Sequence, residues 1–141
     1  DFDEGKSESV ENNKPILLDF TGWACANCRR VEENTWSEPK VYDMINNEFI
    51  LISLYVDDRS DLNQDQIIIL TDKNGNEKTL KKVGEKWSAF QTINFKNNSQ
   101  PYYVLLSPNL EVLNKPIQYT DTDTYQSWLS EGLENFKKNY K

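Results

Sequence analysis

The sequence predicts an α/β fold: a central mixed sheet flanked by helices, with a hairpin inserted ahead of the last central strand. Three observations carry this. Apolar runs of strand length, ILLDF, FILISLYV and YYVLL at residues 16–20, 49–56 and 102–106, alternate with segments whose apolar residues recur at helical spacing. The pair Asn74-Gly75, the strongest short hairpin signal in the chain, lies in the long stretch between the second run and the next helical pattern. The 141 residues suit one domain with a single sizeable core.

Residues 1–14 (DFDEGKSESVENNK) are polar apart from Phe2 and Val10 and read as a short helix or an arm, with the domain proper running over 15–141. Pro15 introduces ILLDF, whose unbroken apolar character suits a central strand buried on both faces. Thr21 and Gly22 break it, and a helix follows from about Cys25 to Asn34. Ser37-Glu38-Pro39 starts a second helix, with Ser37 as cap and Pro39 in the first turn, carried by Val41, Met44 and Ile45. FILISLYV is the second central strand, closed by Asp57-Asp58. The segment from Arg59 to Lys82 is an insert: IIIL at 67–70 leads into the turn at Asn74-Gly75, giving a hairpin outside the catalytic core and suited to partner selection. Val83, Trp87, Phe90 and Ile93 or Asn94 mark a helix from Gly84 to Phe95. YYVLL is the next strand, Ser107-Pro108-Asn109 turns, and LEVL pairs back as an antiparallel edge. The last helix, from about Asp123 to Tyr140, carries Tyr125, Trp128, Leu129, Leu133 and Phe136 on one face. Strands alternating with helices predict parallel pairing with a right-handed crossover. This order is the thioredoxin-like plan.

Composition narrows the function. Hydrophobic residues make up 37% and aromatics 12%, enough to fold without cross-links. A net charge of -7 disfavours binding to nucleic acid or to an anionic membrane, because both recruit basic surfaces. No apolar run approaches the ~20 residues that span a bilayer. The chain opens on Asp1 rather than Met, as a processed form or an excised domain would.

The chemistry lies in FTGWACANCRRVEENTW, residues 20–36, which holds the two cysteines of the chain, Cys25 and Cys28. A pair spaced this way can serve redox chemistry, a metal site or a structural staple. Structural zinc takes four ligands, usually Cys and His, and with no histidine and no further cysteine only a site bridging two copies would be left. As a staple the pair is poor, since it closes a very small loop and disulfide stabilisation grows with loop length. Placed after a buried strand and at a helix start, it is the arrangement of a reactive dithiol. The helix N-terminus stabilises a thiolate at Cys25, while Cys28, one turn in, is shielded.

Two carboxylates stand close by in the sequence. Glu32, four residues after Cys28, shares its helix face. Asp19 lies inside ILLDF, where an unpaired charge is costly to bury. Glu32 reads as a solvated helix residue or as a proton-handling partner of the sulfurs, and Asp19 as a strand-end residue bound by backbone donors or as a second such partner. Gln100-Pro101 precedes YYVLL, and a proline there fits a strand start, either as an ordinary trans residue or as a cis one flanking a peptide-binding edge.

KPILLDFTGWACANCRRVEENTWSEPKV, FILISLYVDD, GEKWSAFQTINF and SQPYYVLL together resemble the C-terminal thioredoxin-like domain of the bacterial thiol:disulfide interchange protein DsbD, over nearly the whole chain. The resemblance implies a periplasmic protein-disulfide reductase, with Cys25 as nucleophile, Cys28 as resolving thiol, Asp19 and Glu32 tuning the pair, and Pro101 as a cis-proline. Trp23, Ala24, Gln100 and Pro101 are then the expected substrate-contacting residues. It further implies no metal and no cofactor beyond the redox-active Cys25–Cys28 disulfide, and no nucleic acid. The implied partners are a membrane-embedded electron-donor domain and a periplasmic acceptor, with a role in cytochrome c biogenesis. The domain would be monomeric in isolation and would belong to an inner-membrane protein. Two departures stand out: Ala24 separates Trp23 from Cys25, and the segment 59–82 is longer than a plain thioredoxin needs. The alternative is a non-catalytic peptide-binding or chaperone module with an inert disulfide.

Overall fold

A computed structural model of the chain describes residues 2–139. The elements in order are α1 (Phe2–Asn12), β1 (Ile16–Thr21), α2 (Ala26–Asn34), α3 (Pro39–Glu48), β2 (Ile50–Tyr55), a 3-10 turn at Gln64–Gln66, β3 (Ile68–Thr71), β4 (Glu77–Leu80), α4 (Val83–Phe95), β5 (Tyr102–Leu106) and α5 (Thr122–Asn139). The fold is the expected mixed sheet flanked by helices. Its strand order is β2-β1-β5, with β1 parallel to β2 and antiparallel to β5.

β1 is buried on both faces, as its unbroken apolar run requires. Leu17, Tyr103 and Leu105 point to one layer, with Val31 of α2, Val41 and Ile45 of α3, and Tyr125, Trp128, Leu129 and Phe136 of α5. Ile16, Leu18, Phe20, Ile52, Leu54 and Val104 point to the other. There Phe2 of α1 packs with its ring 6.0 Å from Trp87 and 5.6 Å from Phe90 of α4. The N-terminal residues thus form a helix seated on the sheet, with Phe2 as its anchor, whereas Val10 is exposed.

Several expectations are corrected. β1 continues through Thr21, which is buried and pairs with Tyr55, so the break comes at Gly22. Ser37 does not cap α3: Glu38 occupies the cap position without a side-chain bond, and the Ser37 hydroxyl donates instead to the Glu33 carbonyl, one turn back. FILISLYV is not central. Among the described residues β2 lies at the sheet edge, and its burial alternates accordingly, with Leu51 exposed. Ile93 is exposed too, because Gln91 is the residue of that turn of α4 that faces inward. LEVL forms no continuous strand. Isolated bridges join Leu106 to Val112 and Tyr103 to Ile117, so three steps along β5 are matched by five on the return, which is therefore bulged. Pro116, with no N–H to give, lies in the bulge, and the Asn114 side chain bonds the Trp128 carbonyl of α5. The last helix begins at Thr122, and Tyr140, its expected end, lies outside the described residues.

The insert forms the expected hairpin as a two-stranded sheet of its own, with Ile68 opposite Leu80 and Thr71 opposite Glu77. The Asp72 carboxylate accepts from Asn74 N–H at 2.8 Å and Asn76 N–H at 2.9 Å, and Gly75 takes the left-handed conformation (φ 82°) that the turn requires. The hairpin is rooted by buried Leu62 and Leu80.

α4 begins pressed against the chain leaving β2. A Cβ on Gly84 would stand 2.5 Å from the Val56 carbonyl oxygen and 2.7 Å from Asp58 N. Alanine would favour the helix by about 1 kcal/mol, but both clashing groups are backbone and cannot swing aside. Gly84→Ala is therefore expected to destabilise the protein by about 1–3 kcal/mol, read as a lower urea midpoint with an unchanged m-value.

Candidate active site

The site is assembled where β1 ends. Gly22, Trp23 and Ala24 form the loop into α2, and Cys25 N–H donates to the Gly22 carbonyl at 3.3 Å. Cys25 is the cap residue of α2, with extended backbone (φ -86°, ψ 103°), and its sulfur accepts the Cys28 N–H at 3.2 Å. A cap acceptor here meets one of the unpaired donors of the first turn, and an anionic sulfur would meet it better still. Cys25 and Cys28 are joined as a disulfide, with Cα atoms 5.2 Å apart. Cys25 is half-buried, whereas Cys28 is 1% exposed. The two sulfurs thus differ in access to solvent.

Asp19 alternates onto the layer that holds Leu17 and α2 and is 2% exposed. The Ser53 hydroxyl, opposite it on β2, donates to its Oδ2 at 3.0 Å. Burial pushes its carboxyl up to about 7, further raised by the charge of Glu32 and opposed by the Ser53 bond and by Arg29. Glu32 is half-buried and bound by Arg29, whose Nη2 lies 2.9 Å from Glu32 Oε2. The same nitrogen donates to the Thr21 hydroxyl at 3.2 Å and the Gly22 carbonyl at 3.3 Å. Arg30 is exposed and donates to the Asn27 side chain. Tyr103 and Tyr125 line the same layer, and burial raises both phenols.

Trp23 is 63% exposed and lies flat on Tyr55, ring centroids 3.9 Å apart at 17°. Its N–H and that of Ala24 both donate to Asp57, at 3.0 Å and 3.2 Å. The Gln100–Pro101 peptide bond is cis, and Pro101 is buried. Since Tyr102 pairs with Phe20, this step stands at the same end of the sheet as Gly22. Gln91 of α4 holds the approach: its amide nitrogen donates to the Asn97 side chain and the Ser99 carbonyl, and its oxygen accepts from Gln100.

Four supporting residues were not identified from the sequence alone. Ser53 and Asp57 act across a separation of 34 residues. Gln91 is a polar residue in a helix with nothing local to mark it. Arg29 carries no local mark of the contacts that it makes from α2. Among the described residues, no group of three or more His, Cys, Asp or Glu is placed to hold a metal ion, and no helix is long and apolar enough to cross a membrane.

Known proteins share this family and fold. The family model described as thioredoxin-like matches residues 1–108. The thiol:disulfide interchange protein DsbD of Campylobacter jejuni (strain RM1221) is 38% identical over 66 residues, 47% of this chain and 11% of that protein. The matched stretch therefore spans about a tenth of that relative's length. Among solved structures, the DsbH oxidoreductase superposes with a TM-score of 0.65 at 14% identity, covering 94% of this chain and 81% of that one. A thioredoxin-fold protein from Helicobacter pylori gives 0.63 at 20% identity, covering 92% and 75%. The reduced DsbD C-terminal domain of Neisseria meningitidis gives 0.58 at 12% identity, covering 93% of each chain. At these identities the superpositions establish the fold.

Proposed function

The chain belongs to the thioredoxin-like family, and on that premise we propose that it is a thiol–disulfide oxidoreductase domain acting as a protein-disulfide reductase. The observation that carries this is the asymmetry of the sulfurs: Cys25 caps α2 and is reachable, while Cys28 is 1% exposed beneath it.

In the reduced protein the Cys25 thiolate attacks one sulfur of a partner's disulfide, forming a mixed disulfide and expelling the partner's other sulfur as a thiolate, which takes up a proton. Cys28 then gives up its proton and attacks Cys25 Sγ. The Cys25–Cys28 bond forms, the mixed bond breaks, and the partner leaves as a dithiol carrying two electrons and two protons. Asp19, with its carboxyl near 7, fits the role of accepting the Cys28 proton in the second step and returning it in reverse. Trp23 on its Tyr55 and Asp57 support, with Ala24 and the Gln100–Pro101 step, supplies the surface a partner backbone would meet.

Ionised Asp19, with Glu32 held by Arg29 beside it, opposes the thiolate that the helix N-terminus favours. Disfavouring the thiolate destabilises the reduced pair, which therefore gives up electrons rather than withdrawing them, so the domain works as a reductant. The likeness to DsbD supports a finer reading: a periplasmic C-terminal domain of a membrane protein that receives electrons from a membrane-embedded domain and passes them to a periplasmic acceptor. The β3–β4 hairpin, a sheet of its own, suits recognition apart from the chemistry.

Insulin reduction with dithiothreitol as electron source tests the reading. The protein should accelerate the appearance of insulin turbidity and Cys25→Ser should not. A wild-type rate equal to that of dithiothreitol alone would favour the non-catalytic module instead.

A further inference from the structure

Arg29 has no part in the reaction just described, yet its guanidinium sits at the junction of the site. Nη2 donates at once to Glu32 Oε2, the Thr21 hydroxyl and the Gly22 carbonyl. It thereby ties α2 to the end of β1 and to the loop that carries Cys25. Nε, by contrast, is buried without any hydrogen-bond partner. A side chain selected for hydrogen bonding alone would not leave a buried donor unpaired, because its lost hydration is not returned. What the position gains from a guanidinium is its charge.

The groups around it are mostly acidic. β1 contributes Asp19, α2 contributes Glu32 and β5 contributes Tyr103, each interacting with the guanidinium; Tyr125 of α5 packs on Tyr103, and Asp57 after β2 binds the Trp23 and Ala24 N–H groups. Arg30 is turned to solvent with Asn27. Glu32 and Arg29 act on Asp19 in opposite directions, the first favouring its protonated form and the second its anion.

We propose that Arg29 is a positioning residue that neutralises Glu32 and fixes the start of α2 on β1, so that the redox pair works in the field of one uncompensated carboxyl, Asp19, rather than two. This deepens the reading of Asp19 and Glu32 as tuning groups and rests on it. Bare Glu32 would oppose thiolate formation, while bare Arg29 would promote it. The pair together leaves the field close to neutral and hands control to the protonation of Asp19.

The test is the pH midpoint of iodoacetamide alkylation in the reduced protein, with circular dichroism to confirm folding. Arg29→Gln exposes the charge of Glu32 and should raise the midpoint, and Glu32→Gln exposes Arg29 and should lower it, each by roughly half a pH unit. Below the midpoint this is about a threefold change in rate, slower for the first variant and faster for the second. The double variant should return close to the parent, and Arg29→Lys, which keeps the charge, should stay near the parent midpoint. A merely structural role predicts single-variant shifts of the same sign, or Lys behaving like Gln, and either result overturns the proposal. Should Arg29→Gln fail to fold, Glu32→Gln decides: an unmoved midpoint overturns it. Asp19→Asn is the reference. If that variant too leaves the midpoint unmoved, the tuning reading itself fails, whereas movement there with none in the Arg29 and Glu32 variants overturns the proposal alone.

Discussion

Cys28→Ser should accumulate a mixed disulfide with a protein substrate, and Cys25→Ser should not. In the first variant the accessible sulfur at the helix N-terminus remains, and attack on a partner disulfide proceeds to the intermediate. The intermediate then persists, because the group that would break it is now a hydroxyl. In the second variant the remaining thiol is 1% exposed and cannot reach a folded partner. Incubating each reduced variant with an oxidised protein and resolving the products on a non-reducing gel reads the outcome directly. The same asymmetry should appear with a small maleimide, which should label the Cys28→Ser protein about tenfold or more faster than the Cys25→Ser protein. Equal trapping or equal labelling would overturn the assignment of attacking and resolving sulfurs.

Asp19→Asn should stabilise the protein, and only above mildly acidic pH. The carboxyl titrates near 3.8 when unfolded and about 7 in the folded chain, where burial is the leading cause. A group whose folded value is raised binds its proton more tightly in the native state, so the native state loses stability as pH climbs from the lower value to the upper. The loss is complete above about 7 and absent below about 3.8. Converted at 1.36 kcal/mol per unit, it approaches about 4 kcal/mol. Asparagine keeps the shape and an acceptor for the Ser53 hydroxyl but never ionises, so it escapes that loss. Urea unfolding of the disulfide-bonded proteins at pH 4 and pH 8 should therefore show near-equal stability at the lower pH and a gain of a few kcal/mol for the variant at the higher. A difference that does not vary with pH would mean that Asp19 is not the buried titrating group. Other acids contribute with the opposite sign: Asp72 and Asp121 are held below the usual carboxylate range by backbone N–H groups. Their contribution is common to both proteins and cancels in the comparison.

If both results hold, the stability that ionised Asp19 costs is retained for its chemistry. A carboxyl that could simply be Asn is kept where ionisation is disfavoured, beside a redox pair that must exchange a proton.

The site's reactive core was legible in the sequence because it is local. Cys25 and Cys28 are one helical turn apart, the strand before them is an unbroken apolar run, and the turn that follows gives the cap its donors. Asp19 was legible for the opposite reason, as a charge in a run that otherwise excludes charge. The helices α2 to α5, the parallel pairing of β1 with β2 and the hairpin at Asn74-Gly75 also follow from spacing and turn chemistry within a few residues. What surrounds the sulfurs depends on chain segments that meet only on folding. Ser53 reaches Asp19 because parallel pairing puts them in register, and Asp57 reaches Trp23 and Ala24 because β2 ends beside the loop leaving β1. An apolar run reads alike whether it is central or at an edge, so the place of β2 was decided by what packs beside it. The bulged return after β5 was decided by contacts with α5, where the Asn114 side chain and the Lys115 carbonyl bond to Trp128. Composition and spacing determine which residues can react. The tertiary structure decides in what field they do so, because burial and charge pairing depend on neighbours that the local sequence does not contain.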